Sequence, residues 1–149
     1  MNAGGCAMRY DDLPWPVQGL VRFMLHDEVR IFEVFSALNL LAWAWMLWLH
    51  PEILARASYQ GFITAAPPVW AVIAFVIGAM QIAAMVLRHH HVARLRFPAM
   101  ALAAGIWTVI AVHFWAGPPS TAAVNYTLIA LGAAISGVYL GWKPTSNNF

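Results

Sequence analysis

Four long apolar stretches constrain this chain more than any other feature. They run over residues 31–49, 69–87, 97–115 and 122–142. Each is close to the ~20 residues that an α-helix needs to cross a ~30 Å hydrocarbon core. Beyond Glu33, near the start of the first, none holds a charged residue. A backbone in lipid must satisfy its own hydrogen bonds, so such runs read as helices. The expected class is an all-α integral membrane protein.

The charges support that reading. Only 9% of the residues are charged, against 62% hydrophobic, whereas soluble domains carry roughly 25% charged residues. Little chain remains for a water-soluble domain. The expected division is a lead and interfacial helix over 1–30, a four-span domain over 31–142, and a short tail over 143–149. Arg9, Arg22, Arg30, Arg88, Arg94, Arg96 and Lys143 all fall on one side of the four spans, and Arg56 falls on the other. The positive-inside rule then puts both termini in the cytoplasm of a multi-pass inner-membrane protein. There is no sustained basic stripe, so nucleic acid is not an expected partner. The bilayer is.

Short links set the topology. Residues 88–96 and Ala116-Gly117-Pro118-Pro119 leave room only for antiparallel neighbours, which gives an up-down-up-down bundle. Pro67-Pro68 and Pro98 fall in first turns, where a missing N–H costs nothing. Ser120 or Thr121 is placed to cap the last helix. Residues 52–66 form a loop on the Arg56 side. The segment 17–30 has two readings. Val17, Leu20, Val21, Met24 and Leu25 share one arc, opposite Gln18, Arg22, His26 and Arg30, which suits an amphipathic helix in the interface with Trp15 as anchor. Alternatively, it extends the first span into water. Cys6 is the only cysteine, so no intrachain disulfide forms. Met8 is a possible alternative start to Met1.

Polar residues inside the spans are the first functional candidates. Glu33, Ser36, Asn39 and Trp43 project within about 120° of one another on a helix. A polar side chain in lipid needs a partner, so this stripe should face protein or water. It lines a pore or an oligomer contact, or it bonds to another span, with Gln81 as one partner. Glu33 is near the surface, within reach of Arg30. Small residues mark helix contacts: Gly137 and Gly141 with Gly132 a turn earlier, Ala74 with Gly78, and Ala101 with Gly105. Small side chains let helices approach closely in lipid.

Histidines raise a cofactor question. His50 and His113 sit at similar depth, where two neutral imidazoles could ligate a haem iron. The alternative is two interfacial histidines beside Trp48 and Trp115 in an aromatic belt. His89-His90-His91 lies on a turn and suits lipid headgroups. No phosphate loop, paired acidic metal site or nucleophile elbow is present. The chain is expected to be non-catalytic and to need no cofactor.

The run Trp115-Ala116-Gly117-Pro118-Pro119-Ser120-Thr121, then Tyr126 and a small-residue span, resembles small multi-span membrane proteins of bacteriophages, which are often holin-like. The short polar lead, Trp-rich spans and very short tail share that plan, and the last two spans carry most of it. The resemblance implies a homo-oligomer that forms a pore or lesion, and it assigns no functional residue. The alternative is an accessory or scaffold subunit that uses the same faces to bind another membrane protein.

Overall fold

The computed structural model describes residues 14, 29–56, 59, 61–62, 65–86 and 95–142. The chain divides into two compact units, 1–31 and 32–149, and the packing below is that of the second. The expected interfacial helix over 17–30 lies outside the described residues apart from its last two. Cys6, His89-His90-His91 and the tail also lie outside them.

Among the described residues four α-helices carry the fold: α1 (Arg30–Leu49), α2 (Pro67–Val86), α3 (Arg96–Trp115) and α4 (Thr121–Trp142). All four are long and apolar enough to cross a membrane. A 3-10 helix, Pro51–Ala55, follows α1. Pro51 ends α1, because proline lacks the N–H that would continue the ladder. Pro67 opens α2, where that N–H has no partner in any case.

Side-chain contacts give the directions of the helices. Glu33 and Arg96, near the starts of α1 and α3, pair with each other. Trp70 near the start of α2 meets His113 near the end of α3. Phe97 at the start of α3 lies over Gly141 at the end of α4. Successive helices are therefore antiparallel, and α1 and α3 run the same way.

Each helix buries one stripe at spacings of three and four. On α2 it holds Trp70, Ala71, Ala74, Ile77, Gly78, Gln81, Ala84 and Met85. On α3 it is led by Met100, Ala103, Trp107, Ile110 and Phe114. Large side chains (Leu40, Met100, Trp107) alternate with alanines in the interior, which lets facing rows interlock. The outer faces keep large apolar residues exposed, such as Phe75, Leu128, Ile135 and Val138. That distribution suits lipid as the surrounding solvent.

One expected cap is not made. Ser120 Oγ is buried with no hydrogen-bond partner among the described residues. It is the Ser120 carbonyl that accepts, from the Ala123 N–H at 3.2 Å. The first turn of α4 is closed by backbone.

Candidate functional site

The polar residues of α1 divide between two environments. Ser36 is fully buried, as is Leu40 one turn on. Asn39 precedes Leu40, so it points about 100° away from the core direction and is only half-buried. The expected stripe thus turns inward at Ser36 and outward at Asn39.

Ser36 is the hub of an interhelical network. The Trp107 indole N–H donates to Ser36 Oγ at 2.9 Å. Gln81 Nε2 lies 3.4 Å from the same oxygen, and Ser36 Oγ lies 3.5 Å from Gln81 Oε1. Gln81 Nε2 also approaches Met100 Sδ at 2.9 Å. These bonds tie α1, α2 and α3 together at mid-depth. Of the two readings of the stripe, the bond to another span is the one Ser36 and Gln81 adopt.

An ion pair lies one turn below. Arg96 Nε donates to Glu33 Oε1 at 3.1 Å, and Arg96 Nη2 donates to Glu33 Oε2. The two-point geometry matches a guanidinium fork to a carboxylate. The Glu33 side chain is 3% exposed and that of Arg96 14%. The sequence offers Arg30 as partner from the next turn of the same helix. The structure brings in Arg96, which docks the start of α3 against α1. Glu33 is a buried group.

Asn39 does not reach Gln81. Its Nδ2 donates to the Phe35 carbonyl at 2.8 Å, within its own helix. Trp43 Nε1 donates to the Tyr126 hydroxyl at 2.8 Å, which joins α1 to α4. Around this bond the rings of Trp43, Tyr59, Phe62, Trp70, Phe114 and Tyr126 form a cluster with centroid separations of 4.9–6.4 Å.

Phe62 comes from the connection between α1 and α2, yet it is 1% exposed. It stacks on His113 at 4.8 Å. The neighbouring Gly61 makes this possible, because its backbone lies directly on the His113 carbonyl with no room for a Cβ. Phe62 therefore plugs one end of the bundle. Phe62 and Trp107 are structural residues for which the sequence raises no expectation, and Arg96, which enters there only as a topology charge, is a third. A clue existed for Trp107, since an indole N–H in mid-span needs an acceptor.

A cleft of about 240 Å³ opens beside the cluster. Asn39, Trp43, Met46, Ile53, Tyr59 and Tyr126 line it.

The two candidate haem histidines take separate partners. His50 lies 3.1 Å from Glu52 Oε1 at an exposed position. His113 Nδ1–H donates to the Val109 carbonyl at 2.7 Å, and its ring faces Phe62 and Trp70. Outside the spans, Glu52 has its carboxyl held below the ordinary value. The main cause is a hydrogen bond from its own backbone N–H; His50 also contributes.

The small-residue pairs also divide. A Cβ on Gly78 would stand 3.0 Å from the Leu41 Cγ and 3.1 Å from the Ala37 carbonyl, so α1 and α2 are in close approach there. Ala74, one turn earlier, is buried. Gly132 lies under the Phe32 ring and Gly141 under the Phe97 ring, while Gly137 is in ordinary contact with Met100. Ala101 and Gly105 depart from the expectation. Both are exposed, and nothing lies within 4 Å of a Cβ on Gly105. Among the described residues, Gly105 packs against no helix.

No protein-family model, curated protein or solved structure matches this chain.

Proposed function

We propose that the chain is a non-catalytic accessory or scaffold subunit of the inner membrane, with both termini in the cytoplasm. One observation carries this reading. Ser36, Gln81 and Trp107 spend their hydrogen bonds on one another inside the chain, with the Glu33–Arg96 pair beside them. The polar groups act as internal fasteners of one four-helix body. A body so fastened presents an apolar surface to lipid and to a neighbouring membrane protein. The orientation rests on seven basic residues on one side of the spans against Arg56 on the other.

The test is co-purification from the native host after mild solubilisation. A stoichiometric membrane partner supports the reading, and a chain recovered alone or only with itself counts against it. Orientation is tested separately in a Cys6→Ala background. A cysteine at Ser58 should react with an impermeant reagent from outside, and one at Ala93 should not.

A second reading is a self-associating pore or lesion former of the holin-like phage type. The outward Ala101 and Gly105 favour it, as a surface where a second copy could pack closely. Asn39 would then turn toward the seam between copies. This reading requires that expression of the chain alone dissipates the membrane potential. An intact potential at high expression retires it.

A further inference from the structure

The cleft between α1, the Pro51–Ala55 helix and α4 holds hydrogen-bonding groups that no described residue engages. Tyr126 accepts from Trp43, but no acceptor for its own O–H is found among the described residues. The Tyr59 hydroxyl has no hydrogen-bond partner among them. Asn39 uses one amide N–H on Phe35, which leaves its carbonyl oxygen and second N–H. Two hydroxyl donors and one amide thus border a single space.

The remaining lining selects the occupant. Among the described residues no charged side chain lines the cleft, so a phosphate headgroup finds no cation among them. Ring faces of Trp43, Tyr59 and Tyr126 stand at interplanar angles of 60° and 87° across Trp43. These faces suit a flat ring, which aromatic side chains contact by offset or edge-on packing. Ala42, Met46, Leu47 and Ile53 supply apolar wall. The volume, about 240 Å³, falls below the ~300 Å³ at which sites for whole small ligands begin. It suits a head group, with an apolar tail left outside between the helices.

We propose that this cleft binds the head of an uncharged ring-bearing amphiphile of the quinone and quinol class. The tyrosine hydroxyls donate to ring carbonyl oxygens, and the Asn39 carbonyl accepts from a ring hydroxyl. Both forms of the ligand therefore find partners. The proposal concerns binding alone and goes beyond the scaffold reading, which stands or falls on co-purification.

The experiment uses the full chain in lipid nanodiscs, titrated with a short-tailed benzoquinone carrying a photoreactive azide. Saturable labelling is expected, mapped by mass spectrometry to residues bordering the cleft. Tyr126→Phe should weaken half-saturation at least tenfold by removing the hydroxyl. It also removes the acceptor for Trp43, so a second variant is needed. Ala42→Phe fills the cleft from its exposed rim and leaves every hydrogen bond in place; it should abolish saturable labelling while thermal unfolding stays unchanged. Gly105→Ala, on another helix face, should label as the parent does. Labelling that scales with lipid content without saturating would overturn the proposal. So would unchanged labelling in a folded Ala42→Phe protein, or a phospholipid retained in the cleft that the quinone does not displace.

Discussion

Trp107 Nε1 donates to Ser36 Oγ at 2.9 Å, and through that bond α3 is fastened to α1 near the middle of both helices. Ser36 in turn meets Gln81 of α2. Interhelical hydrogen bonds in membranes average only ~0.6 kcal/mol each. Their number at one level makes them a register device, because sliding any of the three helices breaks several at once.

Two tryptophans allow that bond to be weighed. Trp107 is fully buried with its N–H bonded to Ser36; Trp70 is 8% exposed, and its N–H has no hydrogen-bond partner among the described residues. Tryptophan-to-phenylalanine removes packing area at both sites. Only at Trp107 does it also strip a hydrogen bond. Trp107→Phe should therefore destabilise more than Trp70→Phe, by about 1 kcal/mol. Unfolding in mixed micelles with rising denaturing detergent measures both. Equal losses would mean that the Ser36 bond contributes nothing net.

The helices were legible in the sequence because apolar length is a strong and local signal. Pro67 opens α2, as the placing of Pro67-Pro68 in a first turn expects, and α3 and α4 each open one residue before the apolar runs at 97 and 122. The interior was less legible. Gln81 was one partner open to the polar stripe, beside a pore or oligomer face, and Ser36 is the stripe residue that meets it. Asn39 could not be separated from Ser36 by angle alone, because the stripe covers about 120° and the helix contacts cover only part of it. Gly105 shows the same limit. A small-residue spacing marks a face suited to close approach, and nothing in it says whether this chain or another supplies the neighbour. Phe62 was out of reach because its burial depends on the long-range contact of Gly61 with His113.

The Glu33–Arg96 pair predicts an asymmetric pattern. Breaking a buried pair by removing one member costs about 3–5 kcal/mol. Glu33→Gln and Arg96→Met should each destabilise on that scale. The double variant, which leaves no lone charge, should recover much of the loss. A double-mutant cycle on detergent unfolding reads the coupling directly. Additive losses would show that the pair is solvated and not coupled as its geometry indicates.

Glu52 predicts a weak acid-side effect at the Phe62 end. Its folded-state value lies below the ordinary one, so its contribution to stability is full above the unfolded value. The contribution is lost as pH falls through the lowered folded value. Glu52→Gln should therefore flatten the acid-side slope of stability against pH and leave the neutral value nearly unchanged. The carboxyl is exposed, so the effect should be small. A chemical-shift titration of the Glu52 side chain should give a midpoint below that of an unperturbed glutamate; a midpoint at or above it would contradict the backbone hydrogen bond.

Gly61 and Gly105 predict opposite outcomes for the same substitution. A Cβ on Gly61 would run into the His113 carbonyl, which is backbone and cannot swing aside. Gly61→Ala should push the connection off α3 and draw Phe62 out of its ring cluster. Loss of a buried phenylalanine contact of this size costs up to about 3–5 kcal/mol, and the displaced plug should make the bundle end accessible to proteolysis. A Cβ on Gly105 meets open space, and alanine removes the conformational cost of glycine in a helix, ~1 kcal/mol. Gly105→Ala should leave the folded chain as stable or slightly more so. Gly105→Leu should then separate stability from assembly. Unfolding should stay near that of the parent, and any complex packed on the Ala101–Gly105 face should dissociate. Detergent unfolding, with native mass spectrometry of the solubilised complex, measures both. A destabilised Gly105→Ala monomer would place that glycine at a contact within the chain, against the geometry seen here.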